Sequence, residues 1–458
     1  MSQSLPDAAI FREYDVRGVV GANFGADEAA LIARAFAETA CDQQGQTMIL
    51  ARDGRLSSPE IAEAVAGALV REGAQVIDIG MGPTPMLYFA VKHFGAAGGI
   101  MITGSHNPPN HNGMKFMPSS GAFYGAQIQS LRQRIASGAF SDKPHGTLRC
   151  KDIGNIYCDR LLRDIDVSAP LRIGWDAGNG ATGEIMTRLC QRLSGEHWLI
   201  NERVDGRFPA HHPDPTIPEN LAQLIALVRD HTLDAGIAFD GDGDRIGVVD
   251  DEGEIWWGDQ LLMLFARDIL KQRPGATVIA DVKASGALFD DIAQHGGQPL
   301  MWKTGHSLIK SKMAQTGAPL AGEMSGHLFF ADHYYGFDDA LYAAVRLVQL
   351  LASQGQRLSD IRKQLPSRIS TPEIRFPCDD ARKFHVIDEV KTRLTAAHRQ
   401  FNDVDGIRLT QPHGWWLLRA SNTQPMLVAR CEAISAQALA ELKEDLRNQL
   451  ALSMVALP

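Results

Sequence analysis

Three short loops of the sequence carry residues that could do chemistry. The first, Thr103-Gly-Ser-His-Asn-Pro-Pro109, follows an apolar run and presents Ser105 where glycine and proline fix the backbone. A serine displayed in this way can act as a nucleophile or carry a phosphoryl group. The segment could equally be an ordinary turn between two elements, so its interpretation depends on the other two loops, residues 240–245 and 322–327.

The second loop, Asp240-Gly-Asp-Gly-Asp-Arg245, places three carboxylates at alternate positions. Carboxylates this close repel one another, and a bound cation relieves the repulsion. The sixth position is Arg245 rather than glycine and the twelfth is Asp251 rather than glutamate, which argues against an EF-hand. Few hard oxygen ligands suit Mg²⁺, which completes its shell with phosphate or water. The loop predicts a magnesium site at Asp240, Asp242 and Asp244, with a solvated acidic turn as the alternative.

The third loop, Gly322-Glu-Met-Ser-Gly-His327, alternates Glu323, Ser325 and His327 along what reads as an extended segment, so the three side chains could point the same way. A carboxylate, a hydroxyl and an imidazole suit the hydroxyl groups of a sugar. A fourth segment, Arg419-Ala-Ser-Asn-Thr423, has the composition of a phosphate-binding loop, because arginine makes paired hydrogen bonds to phosphate. A plain Asn-Thr turn is the alternative there.

The elements that must position these loops follow a recurring pattern of apolar strand, aspartate, polar loop and helix. The strands are expected at residues 48–53, 171–176 and 278–281, and the helices at 58–71, 184–194 and 287–295. Such alternation predicts mixed or parallel α/β sheets, with ligand sites beyond the strand ends. We therefore expect three related α/β domains that each contribute one loop to a shared central cleft.

The last 90 or so residues read differently. Residues 370–377 resemble a linker that runs into a strand, and a helix (386–400), two strands (414–420 and 426–432) and a closing helix (435–450) follow. This predicts a smaller C-terminal α+β domain. The expected domains are 1–150 with the Ser105 loop, 151–254 with the metal loop, 255–368 with the sugar loop and 369–458 with the phosphate loop.

Composition excludes several classes of protein. The 458 residues are 45% hydrophobic and 22% charged, which is ordinary for a globular chain. The net charge of −9 argues against nucleic-acid binding. The six cysteines form no C-x-x-C pair, which favours reduced thiols in a cytoplasmic protein, and no apolar run is long enough to cross a membrane.

Together these motifs, preceded by Phe11-Arg-Glu-Tyr-Asp-Val-Arg-Gly18, resemble the α-D-phosphohexomutase family, and within it the bacterial phosphomannomutase/phosphoglucomutase branch. The resemblance covers essentially the whole chain, and Met324 resembles the branch that accepts both mannose and glucose. It implies an enzyme that interconverts hexose 1-phosphate and hexose 6-phosphate through a phosphoserine and a 1,6-bisphosphate intermediate. It also implies Mg²⁺ and a glucose or mannose 1,6-bisphosphate activator.

Matching positions carry the family's roles to this sequence. The resemblance implies a phosphoserine at Ser105, which would share the metal with the aspartate triplet. Lys115 and His327 are both candidates for the general base, and the sequence does not choose between them. The catalytic set implied is Ser105, Lys115, Arg245, His327, Arg17 and His106. The substrate-binding set implied is Tyr14, Lys283, His306, Glu323, Ser325, Arg419, Ser421, Asn422 and Thr423.

Other functions remain as alternatives. A mutase for glucosamine phosphate or N-acetylglucosamine phosphate would carry the same motifs. A non-catalytic sensor of sugar phosphates is a further alternative, against which the intact serine, aspartates and Lys115 argue. A serine hydrolase built on Ser105 and His106 is disfavoured, because adjacent side chains on an extended segment point apart and no G-x-S-x-G elbow is present. We expect a cytoplasmic monomer whose partners are small sugar phosphates, with no nucleic acid and no membrane.

Overall fold

The structure is a computed structural model that describes residues 5–41, 45–138, 140, 143–166, 169–421 and 424–457. The chain forms two compact units. The first comprises Met1–Gly258 and Ser325–Lys363, and the second comprises Asp259–Met324 and Gln364–Pro458. None of the helices in the described part of the chain is both long enough and apolar enough to span a bilayer.

The first unit begins with a short 3₁₀ helix (Ala8–Ile10) and a mixed six-stranded sheet between helices. The elements are β1 (Val16–Val19), α1 (Ala26–Ala40), β2 (Thr47–Arg52), α2 (Ser58–Arg71), β3 (Gln75–Met81), α3 (Thr84–His93), β4 (Gly98–Ile102), β5 (His111–Pro118), α4 (Ala126–Ser137) and β6 (Thr147–Cys150). The strand order is β1-β5-β4-β2-β3-β6, in which β4, β2, β3 and β6 run parallel to one another and β5 runs antiparallel to both of its neighbours, β4 and β1.

Helix α2 shows why the sequence forms these elements. Proline stands in its first turn, where a missing N–H costs nothing. Ile61, Val65 and Leu69 recur at intervals of four residues and are buried against the sheet. The helix therefore packs one apolar face on the core and holds the loop between β2 and α2 at the strand ends.

A second mixed sheet completes the first long segment, in the order β11-β10-β9-β7-β8. Strands β8, β7 and β9 run parallel to one another, whereas β10 runs antiparallel to both of its neighbours, β9 and β11. The elements are α5 (Gly154–Leu162), β7 (Leu171–Asp176), α6 (Gly183–Cys190), β8 (Gly195–Ile200), a 3₁₀ helix (Pro218–Leu221), α7 (Ala222–His231), β9 (Ala235–Phe239), β10 (Ile246–Asp250) and β11 (Ile255–Trp256).

The second unit then begins, and in it β12 pairs in parallel with both β13 and β14. Its elements up to Met324 are α8 (Gly258–Gln272), β12 (Thr277–Asp281), α9 (Gly286–Gln294), β13 (Gln298–Trp302), α10 (His306–Thr316) and β14 (Leu320–Gly322). The chain returns to the first unit with β15 (Leu328–Phe330), α11 (Ala340–Gln354) and α12 (Leu358–Gln364). There α11 packs against α5 and β10.

The C-terminal part of the second unit is an antiparallel sheet in the order β16-β21-β20-β19-β18, with β17 also paired to β21. Two helices cover the sheet face that carries Trp416, Leu418 and Cys431. The elements are β16 (Ile369–Ser370), β17 (Ile374–Pro377), α13 (Asp380–Ala396), β18 (Phe401–Asn402), β19 (Ile407–Gln411), β20 (Gly414–Ala420), β21 (Met426–Ala433) and α14 (Ala436–Ala451).

The predicted fold class is confirmed: mixed α/β sheets precede a C-terminal α+β part. Several local expectations differ from the structure, and the helix expected at 184–194 ends at Cys190. The presumed linker at 370–377 is paired at both ends with β21. Helix α13 begins at Asp380 rather than at 386, because the Asp379 side chain accepts a hydrogen bond from the Ala381 amide and caps a polar first turn.

Candidate active site

Ser105 stands just beyond the end of β4, where the backbone turns sharply. Its φ of 50° is left-handed, an uncommon conformation for a residue with a side chain. Its amide donates to the Thr103 hydroxyl (2.8 Å), and the Asn107 amide donates to the Gly104 carbonyl (2.9 Å). The Ser105 Oγ thereby lies 3.1 Å from Nδ1 of His106. The expectation that these two side chains point apart is wrong, because the segment is not extended.

The aspartate triplet occupies the turn between β9 and β10 in the same unit. Asp240, Asp242 and Asp244 are all fully buried, and one carboxylate oxygen from each lies within 4.8 Å of the others. The Ser105 Oγ donates to Asp240 Oδ2 at 3.3 Å. The structure thus brings the predicted phosphoserine and the predicted metal ligands together.

The chemistry of the triplet fits a cation. Burial, together with the charges of Asp244 and Asp242, raises the pKa of Asp240 well above its ordinary value. Oδ1 of Asp242 and Oδ1 of Asp244 are buried and have no hydrogen-bond partner among the described residues. Buried, unsatisfied carboxylate oxygens are costly unless a positive charge meets them. The three side chains could therefore hold a metal ion.

Lys115 supplies one positive charge to this cluster. It lies on β5 opposite Met101 of β4. The ammonium donates to Asp242 at 2.7 Å and also to Asp244. The Thr84 hydroxyl, at the start of α3, donates to Asp242 as well. Sequence reasoning missed Thr84, whose only signal is its place in the Pro-Thr-Pro start of a helix.

Arg245 and His327 meet on the other side of the triplet. Arg245 Nε donates to His327 Nε2 at 3.0 Å, so Nε2 is the acceptor of this hydrogen bond. Nδ1 lies 3.2 Å from Asp338 and 3.7 Å from Asp244. Asp338 also escaped the sequence analysis, because its contact with His327 depends on how the chain returns after β15.

Of the remaining catalytic candidates, Arg17 contacts the Ser105 loop and His106 is part of it. Arg17 on β1 donates to Asp15 at 2.6 Å and to the Asn107 side chain at 3.2 Å. Burial and the nearby charges of Arg245 and Arg17 lower the pKa of His106 well below its ordinary value. Tyr14, a substrate-binding candidate, is partly buried in the loop before β1.

The third loop is divided between the two compact units. Ser325, Gly326 and His327 belong to the first unit, whereas Glu323 and Met324 belong to the second. Gly326 has a φ of +92°, and a Cβ there would lie 2.4 Å from the Ile246 carbonyl oxygen. Only glycine therefore lets this loop pass so close to β10.

The second unit gathers Lys283, His306 and Glu323. Glu323 accepts a hydrogen bond from the Gly305 amide (3.0 Å), immediately before His306 at the start of α10. The Lys283 ammonium lies 3.2 Å from Glu373 and 3.8 Å from Asp281. All three side chains are buried. They bring an ammonium group, an imidazole and a carboxylate to the end of β12.

The C-terminal candidates lie in the same unit. Arg419 at the end of β20 donates to Asp405 (3.0 Å), and Asp405 also accepts from the Thr304 amide (3.1 Å). Arg419 is thus tied to the loop that precedes His306. Ser421 follows, and Lys383 donates to its carbonyl oxygen at 2.6 Å. Asn422 and Thr423 lie outside the described residues.

Comparison with known proteins gives the class. Four family descriptions match the chain in order: phosphoglucomutase/phosphomannomutase alpha/beta/alpha domain I over residues 8–142, domain II over 155–253, domain III over 257–369, and the C-terminal domain over 373–449. The fold and site therefore define a phosphosugar mutase of mixed α/β architecture.

Relatives agree along the full length. The chain is 44% identical to the phosphomannomutase/phosphoglucomutase of Pseudomonas aeruginosa, over 99% of this chain and 98% of the relative. It is 43% identical to the phosphoglucomutase of Neisseria gonorrhoeae, over 95% of each chain. A crystal structure of a phosphoglucomutase/phosphomannomutase family protein from Burkholderia thailandensis covers 98% of both chains at 43% identity, with a TM-score of 0.92. The chain belongs to the phosphoglucomutase/phosphomannomutase family.

Proposed function

We propose that this enzyme interconverts the 1-phosphates and 6-phosphates of mannose and glucose, with Ser105 as the phosphoryl carrier. The observation that supports the proposal best is the 3.3 Å approach of the Ser105 hydroxyl to Asp240, within a buried carboxylate triplet. A hydroxyl placed among carboxylates that fit a cation suits a group that holds a phosphate dianion between two half-reactions.

The reaction is two phosphoryl transfers. In the first, a hydroxyl oxygen of the sugar phosphate attacks the phosphorus on Ser105, the bond from phosphorus to Oγ breaks, and the sugar hydroxyl gives up its proton to a base. The product is a sugar 1,6-bisphosphate. In the second transfer, Ser105 Oγ attacks the other phosphoryl group, the bond from that phosphorus to the sugar oxygen breaks, and the oxygen regains a proton.

The chain's own residues carry most of this catalysis through position and charge. Lys115, Arg245 and Arg17 supply positive charge near Ser105, while Lys115 and His327 stay the two candidate bases. A magnesium ion held by Asp240, Asp242 and Asp244 would neutralise charge on the phosphoryl group. Arg419, Ser421, Lys283, His306 and Glu323 would bind the sugar phosphate.

A more distant fold relative supports the class of ligand. The N-acetylphosphoglucosamine mutase of Aspergillus fumigatus, 15% identical with a TM-score of 0.55 over 89% of this chain and 78% of its own, is described in complex with GlcNAc-6P and magnesium. We expect this chain to bind sugar phosphates in the same way, with a bisphosphate as activator. We also propose that it works as a cytoplasmic monomer.

Mass spectrometry and kinetics test the carrier assignment together. Intact mass should show one added phosphate on a fraction of the wild-type protein, and Ser105→Ala should lose both the phosphate and turnover. Initial rates on the 1-phosphates of mannose, glucose, glucosamine and N-acetylglucosamine, with a trace of 1,6-bisphosphate, then rank the sugars. Turnover by the alanine variant at the wild-type rate would refute the carrier role, and no turnover of any sugar by wild type would favour a sensor.

A further inference from the structure

Beneath the Ser105 loop lies a buried arginine to which none of the proposed roles applies. Arg55 follows β2 in the Asp53-Gly-Arg55 turn, and 1% of the residue is exposed. Its guanidinium donates to Asp53 Oδ2 at 3.2 Å and to four backbone carbonyls of one loop. Those acceptors are the carbonyl oxygens of Ser105 (2.7 Å), Asn107 (2.6 Å), Pro108 (2.6 Å) and His111 (3.0 Å).

This set of contacts uses every donor that the side chain has. A guanidinium group carries five N–H bonds in a fixed plane, and here all five point at protein oxygens. Arg55 therefore has no N–H left for a phosphate group. Whatever it contributes to phosphoryl transfer must act through the loop that it holds.

The surroundings are shaped to keep the guanidinium in place. Asp53 also accepts from the Thr103 hydroxyl (2.9 Å) and the Gly104 amide (3.1 Å). The carboxylate therefore binds the start of the same loop whose later carbonyls bind the arginine. A Cβ at Gly104 would lie 2.6 Å from the guanidinium carbon, so glycine is required for this approach. The centroid of the Phe208 ring, in the segment that follows β8, lies 5.1 Å from the same carbon.

We propose that Arg55 is a positioning residue for phosphoryl transfer: it locks the left-handed backbone of Ser105 so that Oγ faces the aspartate triplet. A left-handed backbone is disfavoured for serine and persists only where its surroundings enforce it. The hydrogen bond from Arg55 to the Ser105 carbonyl fixes one peptide of that turn, and the bonds to Asn107, Pro108 and His111 fix the rest. This inference rests on the proposed carrier role of Ser105.

Lysine separates geometry from charge at this position. Arg55→Lys keeps the positive charge but offers three donors from a single atom, which cannot reach five acceptors arranged in a plane. We expect kcat to fall roughly 10- to 100-fold, the range that small misplacements of reacting groups produce, while KM for the sugar phosphate stays within about twofold because no sugar contact is lost. In Arg55→Met, kcat should fall by as much as in Arg55→Lys or by more.

A matched control is Arg346→Lys, which weakens another buried arginine–carboxylate pair of the same unit, to Asp332. It should lower the melting temperature without lowering kcat. If Arg55→Lys does not fold, Phe208→Leu is measured instead. Removing the ring that covers the guanidinium should lower kcat several-fold with KM unchanged.

The kinetic constants of these variants decide whether Arg55 has the proposed positioning role. Wild-type kcat in Arg55→Lys, or in Phe208→Leu where that replaces it, overturns the proposal. So does an equal loss of kcat in Arg346→Lys, or a rise in KM with kcat retained. Failure of the carrier role itself would appear separately, as wild-type protein that never carries phosphate on Ser105.

Discussion

The charged side chains of the candidate site lie in direct contact with side chains of opposite charge. Lys115 meets Asp242 and Asp244, Arg17 meets Asp15, and Lys283 meets Glu373. Buried charges need such partners, because an isolated ion in a protein interior is costly. The exception is the carboxylate triplet, in which three acidic groups share one buried ammonium group. This imbalance leads to a prediction about metal.

Chelation should abolish turnover, and Mg²⁺ should restore it. In addition, Mg²⁺ should raise the melting temperature of the wild-type protein by a few degrees, because an ion that binds only the folded triplet stabilises it. Asp242→Asn should lose that thermal shift. Asp250→Asn, which changes a buried aspartate of the same unit that pairs with Arg362, should keep it. Full activity in exhaustively chelated protein, or no thermal shift in wild type, would contradict the metal assignment.

Much of the site was predictable at the residue scale and some of it was not. The sequence indicated Ser105, the triplet and Arg245, because glycine spacing and carboxylate type are visible in a loop of six residues. It did not indicate Arg55, because four of its five acceptors are backbone atoms about 50 residues away, which any sequence supplies. The same applies to the left-handed turn at Ser105, which follows from tertiary contacts rather than from local propensity.

Elements were predicted best where apolar periodicity marks both ends. Residues 58–71, 171–176 and 414–420 form a helix and two strands with the expected bounds. The start of α13 was predicted too late along the chain, because its first turn is polar and the Asp379 cap is its only sequence signal. Hydrophobic periodicity reports burial, so it cannot show a solvent-facing first turn.

Another cap gives an element-scale prediction about pH. Asp339 caps α11 by accepting from the Tyr342 amide (2.9 Å), and it also accepts from the hydroxyls of Tyr157 (2.7 Å) and Tyr334 (2.8 Å). Burial raises the pKa of Asp339 from its ordinary 3.8 to about 6, although these hydrogen bonds lower it. The folded chain therefore binds this proton more tightly than the unfolded chain does.

Such a group stabilises the fold most at low pH. Its contribution is fully present below about pH 4, and it is lost as the pH rises through about 6, with a total change of roughly 3 kcal/mol in the free energy of unfolding. Asp339→Asn keeps a capping oxygen but cannot titrate. Denaturant unfolding from pH 4 to pH 7 should show the wild-type advantage over this variant shrinking as the pH rises. A constant or growing advantage would show that Asp339 does not titrate in this range.

For the whole molecule, the candidate residues divide into two sets. Ser105, the triplet and Lys115 belong to the first compact unit, whereas Lys283, His306, Glu323 and Arg419 belong to the second. The chain carries a net charge of −9, so its overall field does not attract anionic sugar phosphates and local cations must do so. Substitutions in the two sets should therefore affect different kinetic constants.

Arg419 is the clearest test of this division. Arg419→Ala removes a nearly buried guanidinium that the proposed function assigns to the non-reacting phosphate. Losing a well-desolvated, charge-assisted contact costs roughly 2–5 kcal/mol, so KM should rise at least about tenfold. The 1,6-bisphosphate intermediate should also escape more often during turnover, because the same contact retains it while it reorients. Both are measured in one assay that follows substrate, product and free bisphosphate by ³¹P NMR.

The control is Arg399→Ala, which removes a paired arginine–aspartate contact of the same unit, to Asp445. That variant should lose some stability while its KM and its bisphosphate release stay at wild-type values. Phosphorylation of Ser105 should persist in both variants, since the carrier and its aspartates are untouched. If Arg419→Ala keeps wild-type KM and releases no more bisphosphate than Arg399→Ala, the second unit does not hold the substrate phosphate through this residue, and the division of roles is wrong.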